Sequence, residues 1–247
     1  MSPSPLSASI CIATYNGSRH LREQLLAIVP QLLPFDEIVV VDDCSTDSTS
    51  SVLDQFTDQR IRKYYNISNL GCVKTFEIAI SLARSPVVVL SDQDDLWPPF
   101  RLSILRDAVA SSPRPLVVCG SFTLLGQCPQ ITSCSPWLIN LIGYVSVFSS
   151  IRFTTTYGCC MAFHSSLIPA LIPFPSHCIS HDKWIAMVSA MLCSFRRIPV
   201  VVTYRRLHGQ NLTSPSNSLF QLAFRSSRQF LLFLAALHRS ILFCLVS

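Results

Sequence analysis

Three carboxylates, Asp92, Asp94 and Asp95, fall within four positions. They follow Val87-Val88-Val89-Leu90, an apolar run rich in β-branched residues that reads as a buried strand. Side chains alternate along a strand end, so Asp92 and Asp94 are expected on one side and Gln93 on the other. Two carboxylates aimed into one cleft repel each other unless a cation lies between them. Hard oxygen ligands suit Mg²⁺ or Mn²⁺, with phosphate oxygens completing the coordination. In open α/β sheets, ligands bind beyond the carboxyl ends of the strands. The Asp-x-Asp therefore marks a metal and phosphate corner. The competing reading is that these aspartates form turns and cap a helix. Asp95 is expected to do some of this ahead of a helix over 98–110.

The elements that must position these groups repeat one pattern. Ser9-Ile-Cys-Ile-Ala13 ends in Thr14-Tyr15-Asn16-Gly17, and Glu37-Ile-Val-Val-Val41 ends in Asp42-Asp43-Cys44-Ser45-Thr46-Asp47. Helical spacing covers 19–33 and is closed by Pro34. Shorter helices are expected over 51–56 and 73–83, and a short strand over 61–65. Alternating strands and helices predict a mainly parallel, Rossmann-like sheet with helices on both faces. Right-handed connections bring the three polar turns out along one edge. One cleft then collects an aromatic ring, an amide and five carboxylates.

The 247 residues suffice for one large domain with an appendage. A hydrophobic fraction of 49% against 13% charged supplies ample core, and a mean hydropathy of +0.41 points to a membrane contact. The formal charge of +5 favours anionic ligands or lipid headgroups, but it is too mild for a nucleic-acid binder. The 11 cysteines show no Cys-x-x-Cys and no regular framework. The N-terminus lacks the basic region and long apolar core of a signal peptide. Free thiols in a reducing cytosol are expected.

The order of these motifs is specific. Ala-Thr-Tyr-Asn-Gly (13–17), Val-Val-Val-Asp-Asp-Cys-Ser-Thr-Asp (39–47), Asn-Leu-Gly-Cys-Val-Lys-Thr-Phe-Glu (69–77) and Leu-Ser-Asp-Gln-Asp-Asp-Leu-Trp (90–97) resemble family 2 glycosyltransferases of the GT-A fold. The closest likeness is to the bacterial branch labelled rhamnosyltransferase-like. The resemblance runs over about residues 7–213. It implies that the first two turns, through Thr14, Tyr15, Asn16, Asp42 and Asp43, hold the nucleotide of a nucleotide-diphosphate sugar. It implies that Asp92 and Asp94 hold Mn²⁺ or Mg²⁺ against the diphosphate. The family usually has Gly where Cys44 stands, so a backbone conformation suited to glycine would be strained here.

The second half is less regular. Leu116-Val-Val-Cys119 reads as a strand. Trp137 to Phe148 is too short and interrupted for a membrane span and reads either as an acceptor-side helix or as a membrane-facing segment. Thr156 to Phe163 resembles the family's segment beside the donor sugar, with Cys159 and Cys160 as small core residues. His181-Asp182-Lys183-Trp184 resembles the segment whose Asp is the catalytic base, and a helix over 185–192 follows. His177 and His181 lack further ligands for zinc. After a short strand over 199–202, Tyr204-Arg-Arg-Leu-His208-Gly-Gln-Asn211 resembles the family's closing motif. One extra residue there leaves open which of Arg205 and Arg206 takes the family role. The tail from Leu219 is apolar with interspersed Arg and His. It reads as an interfacial helix with snorkelling basic residues, or as a packed helical hairpin.

The expected organisation is a GT-A domain over 1–213, with a nucleotide half at 7–110 and an acceptor half at 111–213, then a helical tail at 214–247. The expected reaction is metal-dependent, inverting transfer from a UDP- or dTDP-sugar to a glycan or lipid-linked hydroxyl. The setting would be cell-surface polysaccharide synthesis at the inner face of the plasma membrane. Asp182 would be the base, Asp43 would accept from the nucleobase N–H, and Tyr15 would stack on the base. Lys74, Asp92 and one of the two arginines would serve the diphosphate. Asp95, Trp97, His181, Trp184 and His208 would support the site. Two rivals remain: an inactive nucleotide-binding scaffold, and a haloacid-dehalogenase-like phosphatase with Asp92 as nucleophile. The phosphatase reading leaves Asp42-Asp43 and His181-Asp182 unexplained.

Overall fold

The computed structural model describes residues 5–125, 156–206 and 219–246. Strands β1 (Ala8–Thr14), β2 (Glu37–Asp42), β3 (Ile61–Tyr65) and β4 (Val87–Ser91) alternate with helices α1 (Leu21–Ile28), α2 (Thr49–Asp54) and α3 (Cys72–Ser81). Then come α4 (Arg101–Ala110), β5 (Val117–Leu124), β6 (Met161–His164), α5 (Ile168–Leu171), α6 (His181–Met191), β7 (Phe195–Arg205) and α7 (Leu219–Val246). Among the described residues one sheet runs in the order β3-β2-β1-β4-β6-β5-β7.

The first four strands are parallel, as expected. Their side chains are covered on both faces, so they read as continuous apolar runs. Cys11 Sγ donates to the Ala79 carbonyl of α3 at 3.3 Å. Its neighbour Ile12 pairs in register with Ser91, whose hydroxyl accepts from Gln24 of α1 at 2.6 Å. Successive strand residues face opposite ways. Helices α1 and α3 therefore cover opposite faces. The helix expected over 19–33 stops at Ile28, because Pro30 cannot continue an α-helical ladder, and it ends in one 3-10 turn over 29–31.

The register sets the active edge. Thr14 pairs with Asp42 and Asp42 with Tyr65, so β1, β2 and β3 end level. Ser91 pairs two residues lower, with Ile12. The chain leaving β4 therefore rises alongside the β1 turn.

The second half differs more from expectation. Strand β6 lies antiparallel between β4 and β5, with Val89 opposite Ala162. Strand β7 covers 195–205, well beyond the expected 199–202. Within the sheet it pairs with β5 at the edge and is half exposed, so polar Arg196 and Arg197 interrupt the apolar signal. Helix α6 begins at His181, four residues before the expected start, which puts Asp182 in its first turn and not in a loop. Residues 137–148 and His208 lie outside the described residues.

The tail is a single helix, not a hairpin. Leu232, Ala236 and Ser240 are buried one turn apart, and the helix packs on α5 and α6. Arg239 donates to the Ile172 carbonyl at 2.8 Å and the Pro173 carbonyl at 3.1 Å. Leu231, Leu234, Leu237, Ile241 and Leu245 remain exposed. Among the described residues no helix is long and apolar enough to cross a membrane.

Cys44 sits at φ 60°, in the left-handed region where a Cβ is crowded. Such a conformation costs about 1–2 kcal/mol for a residue with a side chain. Cys44→Gly is expected to raise unfolding stability by about 1 kcal/mol, after allowing for glycine's greater unfolded-state entropy. Urea denaturation checks this, and an unchanged or lowered midpoint would contradict it.

Candidate active site

Gln93 locks the first and third turns together. Its Oε1 accepts from Thr14 Oγ1 at 2.8 Å and from the Tyr15 N–H at 2.9 Å, while its Nε2 donates to the Tyr15 carbonyl at 3.0 Å. A Cβ on Gly17 would lie 2.2 Å from that Oε1, so only glycine admits the clasp. Asn16 joins the first turn to the second. Its Oδ1 accepts from the Thr46 N–H at 2.8 Å, and its own N–H donates to Ser45 Oγ at 2.8 Å. Asn16 is in the left-handed region at φ 49°, which asparagine tolerates better than most residues. The Tyr15 side chain is 45% exposed and rises beside this frame.

The paired aspartates of the second turn are largely committed to structure. Asp42 accepts from the Ser45 N–H at 2.9 Å and from Ser45 Oγ at 2.6 Å, an Asx-type turn. Asp43 accepts from Asn66 Nδ2, the Leu70 N–H and the Gly71 N–H, each at 2.8 Å. It thereby fixes the loop before α3. Lys74 on α3 is half exposed and pairs with Glu77.

The stretch after β4 departs from strand alternation. β4 ends at Ser91, and residues 93–94 form a bend. The alternation that would put Asp92 and Asp94 on one side therefore does not extend to them. Ligand atoms of Asp92, Asp95 and Cys159 come within 4.8 Å of one another instead. Asp94 remains close, since its charge bears on both Asp92 and Asp95. Asp95 is 3% exposed. Its Oδ1 accepts from the Arg206 N–H at 3.1 Å, and its Oδ2 is buried without a hydrogen-bonding partner. Burial, then the charge of Asp94, raises its pKa, against smaller opposing effects of a Cys159 thiol hydrogen bond, the Arg206 N–H and the Arg101 charge.

Asp182 faces the same cleft from the first turn of α6, where the helix's positive end favours a carboxylate. Its Oδ1 accepts from the Lys183 N–H at 2.8 Å and is bonded by Ser180 Oγ. Burial, followed by the charges of Asp95, Asp94 and Asp182, pushes the Asp92 carboxyl well above the usual carboxylate range. The Cys72 thiol at the start of α3 is pushed up to about 12, by burial first and then by Asp92, Asp182, Asp43 and Asp94. The charges of four carboxylates thus bear on one residue.

Positive charge arrives on β7. Backbone hydrogen bonds between Leu96 and Tyr204, both 2.9 Å, tie its end to the acidic loop. Arg206 donates to Glu23 at 2.7 Å and to the Asp94 carbonyl at 3.2 Å. Arg205 lies over Tyr157 and Phe122, 4.9 and 5.5 Å from the ring centres, and its charge favours ionised Asp92. Arg205 thus acts by its charge on Asp92, while Arg206 bonds Glu23 and the backbone of the acidic loop.

Several expected supporting residues make contacts within the fold. Trp97 donates to Ser91 Oγ at 3.0 Å, and Trp184 donates to the Leu171 carbonyl at 2.7 Å. His181 stacks on Phe76 with ring centres 4.1 Å apart, and burial lowers its pKa. A Cβ on Gly158 would lie 2.3 Å from His181 Nε2, so the imidazole fills the space that glycine leaves.

Sequence reasoning missed Gln93 as a clasp and missed Arg101 entirely. Arg101 is fully buried under the site. It donates to Thr203 Oγ1 at 2.7 Å, to the Leu90 carbonyl at 2.8 Å and to the Cys159 carbonyl at 2.6 Å. It thereby stitches β4, β7 and the segment before β6. An arginine in a short helix carries no sequence sign of such burial.

The raised pKa values have a sign. Asp92 and Asp95 hold protons in the folded state at pH values where the unfolded chain, with carboxyls near ~3.9, has lost them. Stability of the metal-free protein therefore falls as pH rises from about 4 through the folded-state pKa values. Asp92→Asn is expected to flatten this decline and to raise Tm at neutral pH, read by thermal melts from pH 4 to 8. A lowered Tm at neutral pH would contradict it.

Comparison with known proteins supplies the family. The sequence model described as Glycosyl transferase family 2 matches residues 9–167. TuaG, a glycosyltransferase assigned to teichuronic acid biosynthesis in Bacillus subtilis (strain 168), is 32% identical over 91 residues, which is 36% of each chain. Among solved structures, Staphylococcus aureus TarS 1-349 with UDP-GlcNAc superposes with a TM-score of 0.64 at 19% identity, over 91% of this chain and 66% of that one. The mannosyltransferase PcManGT of Pyrobaculum calidifontis, with GDP-Man and Mn²⁺, gives 0.63 at 18% identity, over 96% of this chain and 74% of that one. The sheet flanked by helices is the GT-A fold of these structures. The family match extends from β1 through β6, across both turns, the acidic loop and Cys159, and the chain belongs to glycosyl transferase family 2.

Proposed function

We propose that the protein transfers a hexosyl or rhamnosyl group from a UDP- or dTDP-sugar to a hydroxyl of a glycan or lipid-linked acceptor, with inversion. The observation carrying this reading is the convergence of Asp92, Asp94, Asp95 and Asp182 on the carboxyl edge of the sheet, beside exposed Tyr15. The resemblance of the motifs at 13–17, 39–47, 69–77 and 90–97 favours the rhamnosyltransferase-like branch.

The donor set fits a divalent cation. Oδ2 of Asp95 is buried and unpartnered, and Asp92 and Asp95 present carboxylate oxygens of the kind Mg²⁺ and Mn²⁺ take. Asp94 stands beside them. When bound, such an ion supplies charge stabilisation to the departing diphosphate. Tyr15 offers its ring to the nucleobase. Asp43, already holding the 66–71 loop, has acceptor capacity left on Oδ2 for a base N–H. Arg205 contributes positive charge to the diphosphate side. Asp182 takes the proton from the acceptor hydroxyl as it attacks the anomeric carbon. A single displacement inverts that carbon.

The wider setting follows from the relatives' named processes and from the tail. TuaG is named for teichuronic acid biosynthesis, which favours a role in cell-surface polysaccharide synthesis. The exposed leucines of α7 favour peripheral contact with the inner face of the plasma membrane. Their opposite face packs on α6, so removing the helix would also disturb the fold. Leu234→Glu with Leu245→Glu is expected to abolish cosedimentation with anionic vesicles and leave Tm unchanged. Retained cosedimentation would contradict membrane contact through this face.

The deciding experiment concerns Asp182. Asp182→Asn is expected to lower kcat by ~10²–10⁴, the span for lost general-base help, with donor affinity little changed. Loss of UDP binding in parallel with rate would remove Asp182 as the base. Absence of turnover in the wild type across labelled UDP-, dTDP- and GDP-sugars would favour a binding scaffold.

A further inference from the structure

The cation site carries a sulfur atom that a purely oxygen-based site would lack. Strand β6 runs antiparallel to β4 with Val89 opposite Ala162. The residues just before it therefore come up beside the residues just after Ser91. Cys159 is held there from below: its carbonyl accepts from Arg101 at 2.6 Å and from Thr203 Oγ1 at 2.7 Å. That fixes the backbone and aims Sγ at the carboxylates. The ligand atoms of Asp92, Asp95 and Cys159 lie within 4.8 Å of one another. Bonds of about 2.0–2.3 Å to oxygen and sulfur place atoms sharing one ion some 3–4.5 Å apart. A small closure therefore brings all three onto one cation. The Cys159 thiol bears directly on the Asp95 carboxylate, whose buried Oδ2 has no partner at hydrogen-bonding geometry and so keeps its lone pairs available to an ion.

We propose that Cys159 is a ligand of the cation site, with Asp92 and Asp95, and makes the site selective for borderline and thiophilic cations such as Co²⁺, Zn²⁺ and Cd²⁺ over Mg²⁺. The inference rests on the cation site proposed above. A hard ion such as Mg²⁺ is served by the carboxylates and leaves the thiol protonated. A thiophilic ion forms a metal–sulfur bond, and the thiol proton passes to solvent.

The test uses the full chain, stripped of metal with EDTA and titrated with Co²⁺ in the presence of UDP. A near-ultraviolet sulfur-to-cobalt charge-transfer band is expected, and it should vanish in both Cys159→Ser and Asp95→Asn. Cys159→Ser should also weaken Cd²⁺ binding by at least the ~10–100-fold that loss of a mere outer partner brings, while Mn²⁺ binding changes far less. Mn²⁺ binding without the cobalt band, or a band that survives Cys159→Ser, overturns the sulfur ligand and leaves the cation site standing. Failure of every cation to bind overturns both. If Cys159→Ser does not fold, cadmium-113 resonance on the wild type decides. A signal shifted downfield of all-oxygen sites and absent in Asp95→Asn supports the sulfur ligand, and one in the all-oxygen range overturns it.

Discussion

Two ionised carboxylates 4 Å apart repel by about 4 kcal/mol at the effective dielectric of a protein surface. The fold brings Asp92, Asp94, Asp95 and Asp182 within electrostatic reach of one another, with Asp43 nearby, and burial together with their mutual repulsion holds the Asp92 and Asp95 carboxyls above the usual carboxylate range. Everything around the cleft bears on holding these groups despite that. The sheet register fixes where β4 delivers its acidic loop. Gln93 clasps the loop to the β1 turn on one side. On the other side a reciprocal pair of backbone hydrogen bonds between Leu96 and Tyr204, at 2.9 Å, ties it to β7, so the loop is held at both ends. Beneath it, Arg101 places one buried positive charge where it favours ionised Asp92 and Asp95, while its hydrogen bonds join three segments. Arg205, delivered by β7, sets a second positive charge against Asp92. The remaining repulsion is what a cation and a diphosphate would resolve together, the ion by its charge and the ligand by completing its coordination.

The first half of the fold was legible because its strands are covered on both faces. Val39 to Val41 and Val87 to Leu90 are unbroken apolar runs, and each stops at a polar turn where the sheet ends. The carboxylates, Tyr15 and Asp182 could be named from those turns and from the family likeness. Their partners were harder to see. Strand alternation stops being a guide once β4 ends at Ser91, and the bend at 93–94 brings Asp95 next to Asp92. Asp42 and Asn16 look like ligands in sequence, yet their oxygens bind neighbouring backbone N–H groups. Arg101 gave no signal, and Cys159 read only as a small core residue, because their placement depends on contacts 58 and more residues away in the chain. Edge strand β7 was shortened for a related reason: half exposed, it tolerates the polar residues that hide it.

Helix α7 shows how one element can serve two surfaces. Leu232, Ala236 and Ser240 sit against the domain, while Leu231, Leu234 and Leu245 face outward. Helical periodicity separates these two faces. Sequence alone could not choose between packing and an interfacial role; the structure shows one packed face and one row of exposed leucines.

The central claim is that the carboxylates at the end of β4 hold a divalent cation together with a nucleoside diphosphate. Electron paramagnetic resonance of Mn²⁺, titrated into the full chain with and without UDP, tests it most directly. The account predicts that UDP tightens Mn²⁺ binding and that Asp92→Asn abolishes that tightening. Mn²⁺ binding indifferent to UDP, or unchanged in Asp92→Asn, would contradict it.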